Sequence, residues 1–505
     1  MLRKFLVPFF VIFLLTAMAS QASANEVRSS WIVNFKSEKT LPSLDRAELI
    51  NFLQKRNSEN LRMLGRVNVT MPLWIANAAA ISATTDEAAR LAKLPNVASI
   101  VPDRKRQWIR PGKDWSPRPG QKTRKPVWSV ELVKAPQVWS DFKVDGAGVV
   151  VGIIDSGIYE AHPSLKGKVL RFKDFTPAQN PEPYDEQGHG THVAGSIVGG
   201  DGVGVAPGAR LLVAKVFDKT GNAEDTWVLA AMQWIMDPDG NPNTNDGPRL
   251  INNSWGSNEI TDKSFWEATR AWQAAGILPV FAAGNNGPNG KVAVPANHPQ
   301  CWAVGATTKS DVRAFFSSVG PITWDGVTHI KPDIAAPGAQ VLSCSKNGGL
   351  VYNSGTSMAC PHVAGLAALM LQAKPKMSLL QIRSIAESTA IDLGDTGKDN
   401  IYGSGRFDAH ACISKVMTVA RLNENFAAYE EALLSEKALI GVGAVSPLVG
   451  PLAASLLQRT RDLDAGEFRA LKLEFAEESA AGRLLAGAAR IRNADLLHGN
   501  CLLYK

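Results

Sequence analysis

Val149-Val150-Val151-Gly152-Ile153-Ile154 is an unbroken apolar run that stops at Asp155. A strand with no polar face must be covered on both sides, as strands are inside a parallel sheet. Short runs of the same kind recur at Leu211 to Phe217, Leu250 to Asn253, Ile277 to Ala283 and Trp302 to Gly305. Stretches of helical character lie between them, at His189 to Val198, Ala223 to Met236 and Asp262 to Ala275. This alternation predicts an α/β domain with a mostly parallel sheet. Ligands bind such sheets beyond the carboxyl ends of the strands. Asp155, Asn253-Ser254 and Asn285 all fall there.

The chain has 505 residues, room for more than one domain, and a net charge of +7. Its apolar content of 45% excludes a disordered chain and a polytopic membrane protein. Arg3 and Lys4, an apolar core from Phe5 to Ala17, and Ala22-Ser23-Ala24 read as a signal peptide over residues 1–24, cleaved before Asn25. That places the protein outside the cytoplasm, secreted or in the periplasm or cell envelope, and no later run is apolar enough to span a membrane. Residues 25–103 read as a small α+β unit. Strands are expected at Trp31 to Phe35, Trp74-Ile75-Ala76 and Asn96 to Val101, with helices at Leu44 to Leu64 and Thr85 to Leu94. The excess charge is local. Arg104, Lys105, Arg106, Arg110, Lys113, Arg118, Lys122, Arg124 and Lys125 crowd among Pro111, Pro117, Pro119 and Pro126. Residues 104–126 are therefore expected to be an exposed linker, open to proteolysis. No aromatic-basic groove accompanies them, so a nucleic-acid partner is not expected. Residues 416–505 are rich in Ala, Leu, Glu and Arg and read as a helical extension, with helices at Phe426 to Ala438 and Ala465 to Ala489. Of the five cysteines, Cys301, Cys344, Cys360, Cys412 and Cys501, one pair could bridge, and the odd count leaves at least one free.

Asn353-Ser354-Gly355-Thr356-Ser357-Met358-Ala359-Cys360-Pro361-His362-Val363-Ala364-Gly365 is a glycine turn followed by a small-residue apolar run. Pro361 suits the first turn of a helix running to about Ala373. Ser357 would sit at its N-terminus, where free N–H groups favour a developing anion. The segment alone equally allows a serine N-cap. Three further segments bear on the choice: Asp155-Ser156-Gly157 at a strand end, Gly188-His189-Gly190-Thr191-His192 opening a helix, and Ala283-Gly284-Asn285-Asn286-Gly287 after another strand. A serine needs a base to take its proton, a histidine serves near neutral pH, a carboxylate fixes the imidazole, and an amide can meet the oxyanion. His189 and His192 have i,i+3 spacing but no suitably spaced third ligand for zinc.

The order Asp, His, Asn, Ser with these flanks resembles the subtilisin-like serine proteases, the subtilase family (peptidase family S8), over about Val127 to Ile413. The resemblance implies a three-layer α/β fold in a catalytic domain of residues 127–415, preceded by a pro-domain that acts as the protein's own inhibitor. It implies Asp155 as orienting carboxylate, His189 as general base, Asn285 as oxyanion donor and Ser357 as nucleophile. It further implies that Ser254-Trp255-Gly256 and Ala282-Ala283-Gly284 are walls of a substrate pocket, and that Gly221-Asn222-Ala223 is an edge pairing with substrate. Neither wall carries an acid, so no demand for Lys or Arg before the cut is expected. Protein or peptide substrates and an autoprocessed zymogen follow. The chemistry requires no cofactor. Residues 195–205 are too short for the calcium loop of many relatives. An inserted loop with Asp237, Asp239, Asn241 and Asp246 could hold Ca²⁺ instead, or be an ordinary polar turn. That insertion is similar to the bacillopeptidase F-type branch. Two other outcomes share the sequence: a peptide cyclase or ligase using the same acyl-enzyme, and a catalytically silent binding scaffold.

Overall fold

The computed structural model describes residues 27–109, 117–118 and 126–418. The expected signal peptide, most of the stretch 110–125 and residues 419–505, with the helices expected at Phe426 to Ala438 and Ala465 to Ala489, lie outside the described residues. The small unit is a four-stranded antiparallel sheet in the order β2-β3-β1-β4. Its strands are β1 (Ser29–Phe35), β2 (Asn68–Leu73), β3 (Ala78–Ala83) and β4 (Val97–Pro102), with helices α1 (Arg46–Met63) and α2 (Thr85–Leu91). Both helices start at capping boxes, Asp45 with Glu48 and Thr84 with Glu87. The strand expected at Trp74-Ile75-Ala76 is a 3₁₀ turn. Its apolar residues are buried by tertiary packing, while Asn77 at φ 48° turns the chain from β2 into β3.

A short strand β5 (Lys105–Gln107) follows, then two paired residues β6 (Pro117–Arg118). The main unit opens with α3 (Trp128–Leu132) and α4 (Ala135–Phe142) and continues through β7 (Val150–Asp155), β8 (Val169–Asp174), α5 (His189–Val198), β9 (Arg210–Lys215), β10 (Asn222–Glu224) and α6 (Asp225–Met236). Then come β11 (Leu250–Asn253), α7 (Trp266–Ala274), β12 (Leu278–Ala282), β13 (Trp302–Thr307), the hairpin β14 (Ile322–Trp324) and β15 (Val327–His329), and β16 (Ile334–Pro337). A second hairpin, β17 (Val341–Cys344) and β18 (Leu350–Asn353), leads into α8 (Thr356–Ala373) and α9 (Leu379–Ser388). The seven-stranded sheet has the order β16-β13-β12-β11-β7-β9-β8. Every pairing in it is parallel.

Alternation along the strands divides the core into two layers. Val151, Ile153, Leu211, Val213, Val280 and Val304 join the cluster around α5 and α8. Ile154, Leu212, Ala214, Phe281 and Ala303 join the cluster around α6 and α7. A period of two sends neighbours to opposite faces, so apolar runs produce three layers. The second cluster also takes in Ile32, Leu49, Ile50, Leu53 and Ile75 of the small unit. One face of the small sheet is thus continuous with the main core, while Val33, Phe35, Ala79, Ile81 and Val97 form a cluster of their own. The described cysteines, Cys301, Cys344, Cys360 and Cys412, are buried and free.

Three buried histidines each give one ring nitrogen to a backbone carbonyl: His192 to Val341, His298 to Asp262 and His362 to Met358. Their other ring nitrogens are buried with no partner. Protonation would place an unsatisfied charged N–H in the core, so burial lowers these rings from 6.5 to about 3, 4 and 4. The unfolded chain binds protons there near pH 6.5 while the folded chain refuses them, so stability is complete above that pH and declines as pH falls towards 4. The unfolding midpoint should therefore drop between pH 7 and pH 4.5 by calorimetry, and His298→Gln should flatten the slope. A pH-independent midpoint over that range would contradict this account.

Candidate active site

Strand β7 ends at Asp155, whose carboxylate is fully buried. Its Oδ1 accepts from the Ser156 N–H at 2.7 Å and lies 2.8 Å from His189 Nδ1. His189 opens α5. Asp185 holds that helix start, taking bonds from the Gly188 and Thr191 N–H groups at 2.7 and 2.9 Å and from the Ser156 hydroxyl at 2.9 Å. A carboxylate is favoured at a helix N-terminus. Gly190 lets α5 approach the strand end, since a Cβ there would stand 2.2 Å from the Gly157 carbonyl. Below the same turn, buried Lys215 donates to the Ser156 carbonyl at 2.7 Å. His192 turns to β17 instead, so the two histidines spend their ring nitrogens on different partners.

Asn285 follows β12. Its Oδ1 accepts from the Thr356 N–H at 2.8 Å and the Thr356 hydroxyl at 3.0 Å. The hydroxyl in turn accepts from the Gly284 N–H. With its oxygen pinned, the amide nitrogen is left over, and a Cβ on Gly355 would be 3.4 Å from it. Gly355 offers α8 no side-chain cap. Ser357 is the second residue of that helix. Its hydroxyl donates to the Ser254 carbonyl at 2.8 Å. That bond occupies the hydroxyl proton, which a base could take only once the bond is given up. Loosely aligned partners are common in sites without substrate.

Pro361 sits in the second turn of α8, not the first as the sequence suggested. An alanine there would donate its N–H to the Ser357 carbonyl, four residues back, and proline has none. The Ser254 hydroxyl donates to that carbonyl instead, at 2.9 Å, and accepts from the Asn252 amide. The strand β11 end and the serine helix are thereby tied twice, each serine hydroxyl giving to the other's carbonyl.

One cavity brings together Trp255, Gly256, Ala282, Gly284, Asn285, Thr356 and Ser357. Two expected wall residues contribute differently. The Trp255 indole is buried among Trp108, Phe217, Phe265 and Phe281, so its backbone lines the cavity. The Ala283 methyl belongs to the core, and its carbonyl bonds to the Ala293 N–H. Glu259 also lines the cavity, an acid outside both predicted walls. Gly221, Asn222 and Ala223 do form a pairing edge. The partner is the protein's own β5, antiparallel, with Asn222 opposite Gln107, Ala223 opposite Arg106 and Glu224 opposite Lys105. Trp108 and Ile109 follow, both buried, their N–H groups giving to the Gly221 carbonyl. The expectation of an exposed linker fails over residues 105–109. A free sheet edge accepts any extended chain, and apolar Trp108 and Ile109 fill the trough beside it.

The Asp237, Asp239 and Asp246 carboxylates lie within 4.8 Å of one another, so this donor set fits a hard cation. Burial and the two neighbouring acids push Asp237 up. Asn241 is turned into the loop, its Oδ1 accepting from the Asn243 N–H. Sequence reasoning missed Thr356, Asp185 and Ser156. They act through other side chains, and only their nearness to the motifs could have marked them.

Residues 146–405 match the sequence model of the subtilase family. Among curated proteins, the chain is 35% identical over 380 residues to bacillopeptidase F of Bacillus subtilis (strain 168), covering 68% of this chain and 26% of that protein. It is 31% identical over 409 residues to subtilisin NAT of Bacillus subtilis subsp. natto, covering 78% of this chain and 92% of that one. It is 36% identical over 288 residues to subtilisin Savinase of Lederbergia lenta, covering 56% and 97%. The match thus spans about a quarter of bacillopeptidase F and nearly all of the two subtilisins.

The crossed serine bonds make a stability prediction, best measured by urea unfolding in a Ser357→Ala background that prevents self-digestion. Ser254→Ala should cost about 1–2 kcal/mol, because it strands a buried carbonyl. Pro361→Ala supplies the missing N–H, so the double variant should recover about 1 kcal/mol of that loss. Strict additivity would refute the compensation.

Proposed function

Because this chain belongs to the subtilase family and is a serine endopeptidase, we propose that Ser357 is its nucleophile, His189 its general base, Asp155 the carboxylate that orients the imidazole, and Asn285 an oxyanion donor. What supports the assignment is the buried Asp155–His189 pair on α5, the packing of α5 against α8, and the uncapped start of α8 beside an amide whose oxygen is already committed. On this reading the Ser357 hydroxyl turns from the Ser254 carbonyl and attacks the substrate carbonyl while His189 takes its proton. Asp155, on Nδ1, keeps the other nitrogen free to act and steadies the imidazolium. The oxyanion is met by the Ser357 N–H and the Asn285 amide. His189 then protonates the leaving amine, and water cleaves the acyl-enzyme. Asp185 and Thr356 act as positioning residues for the base and the oxyanion donor.

The small unit is read as an inhibitory pro-domain. Supporting this are the core it shares with α6 and α7, the strand β5 laid along the substrate edge, and the 409-residue match to subtilisin NAT, which reaches well beyond residues 146–405. Self-cleavage is placed between Arg104 and Trp128, export rests on the leader sequence, and Asp237, Asp239 and Asp246 are the groups that would hold a structural Ca²⁺.

A fluorophosphonate probe should label the wild type and leave Ser357→Ala untouched. The same variant should lose roughly 10⁴-fold or more in kcat and remain untrimmed when purified alone. Asn285→Ala should lose roughly 10²–10³ in kcat with little change in KM. Trimming of pure Ser357→Ala to the wild-type length would exclude self-processing. For the cation, EDTA should lower the unfolding midpoint by several degrees and excess Ca²⁺ restore it. An unchanged midpoint would reduce the loop to a polar turn.

A further inference from the structure

The strand β5 places its side chains alternately, and Arg106 and Trp108 face the protein. Trp108 packs edge-on against Trp255 and Phe265. Arg106 enters a hole made by three acids. Its Nε and Nη2 donate to Asp225 Oδ1 at 2.9 and 2.7 Å, and its Nη1 to Asp262 Oδ2 at 2.5 Å. Glu259 stands 3.4 Å from the same Nη1. The Arg106 side chain is only 10% exposed, Asp225 1% and Asp262 8%. Asp225 Oδ2 is buried with no hydrogen-bond partner of its own. Burial pushes the Asp225 carboxyl up to about 7, against the pull of Arg106. Arg104 reaches all three acids from the surface, at 3.0 Å from Glu259, 3.5 Å from Asp262 and 3.9 Å from Asp225 Oδ2.

We propose that Asp225, Asp262 and Glu259 form an arginine-selective substrate subsite, upstream of the cleaved bond, in which Arg106 lies as the protein's own stand-in. This rests on the reading of β10 as the substrate edge and of β5 as a segment that leaves it. When the segment carrying Arg104 and Arg106 leaves, two buried carboxylates lose both of these counter-charges. An extended substrate on the same edge puts a side chain into the same hole every second residue. A guanidinium fits because three N–H groups meet two carboxylates in a planar fork, and an ammonium offers only one nitrogen. The subsite adjoins the cavity of Gly256, Ala282, Gly284 and Ser357 through Glu259, while Asp225 and Asp262 lie outside that cavity's lining. The enzyme would thus select arginine some residues before the cut.

The test uses the full-length protein after self-processing, with active sites counted by fluorophosphonate. Peptides spanning residues 103–128 carry Arg, citrulline, Lys or Ala at position 106, and cleavage is followed by mass spectrometry. The expected result is kcat/KM at least 10-fold higher for Arg than for citrulline or Ala, with Lys nearer to Ala. In Asp262→Asn and Glu259→Gln enzymes the Arg-to-Ala ratio should shrink several-fold. Should Asp225→Asn fail to fold, these two variants and the peptide series still decide the matter. Equal cleavage of the four peptides by labelled enzyme overturns the subsite and leaves the protease intact. Absence of both cleavage and labelling overturns the subsite together with the proposed catalytic residues.

Discussion

A sheet covered by helices on both faces can keep carboxylates, amides and imidazoles only at its ends. In the order β12-β11-β7 three parallel neighbours run side by side, so their carboxyl ends open on one rim. Asp155, Ser254 and, a turn further on, Asn285 leave the core together there. An antiparallel neighbour would have sent one of them to the far rim, a strand's length away. The chain also reverses its progress across the sheet at β7, with β9 and β8 on one side and β11, β12 and β13 on the other. That reversal is where parallel sheets leave a crevice.

Two helices aim their N-termini at the crevice, and they are finished differently. The start of α5 is saturated by Asp185, Gln187 and Ser156 together, which fixes His189 rigidly over Asp155. The start of α8 has no side-chain cap. Its positive end is kept for something that arrives later, which costs the resting fold a little helix stability. The Ser254 bond to the Ser357 carbonyl recovers part of what Pro361 forgoes, and it does so from the turn after β11, where Trp255 and Gly256 line the cavity. Stability of the helix start and shape of the cleft therefore depend on the same serine.

Much of this was legible in the residues. Apolar runs such as Val149 to Ile154 gave the sheet, because a strand buried on both faces leaves a simple record. Asp155, His189, Asn285 and Ser357 could be picked out because each sits in a glycine-marked break where an element ends. Trp74-Ile75-Ala76 misled because a buried 3₁₀ turn and a buried strand are equally apolar. Residues 105–109 misled for the opposite reason. Arg106 reads as a surface charge until the three acids that receive it, more than a hundred residues away in sequence, are known. Long-range pairing of this kind leaves no local pattern, and neither does the tie between Thr356 and Asn285.

The docked strand links the small unit to the cleft through consecutive residues with distinct tasks. Asp103 accepts from the Thr226 N–H at 3.2 Å and its hydroxyl at 2.6 Å, so the small unit caps α6. Asp225 is the first residue of the same helix. On the proposed release of the strand, α6 would lose its cap and Asp225 would lose Arg106 in one step. The helix dipole favours a negative charge in that first turn. The loss of Asp103 removes a competing carboxylate from it. Burial nonetheless pushes Asp225 up to about 7 against the pull of Arg106, so the loss of that guanidinium shifts the acid further towards its neutral form. A guanidinium arriving on the same edge would restore the counter-charge that favours the ionised carboxylate. The segment that blocks the edge thus also marks what the edge should receive.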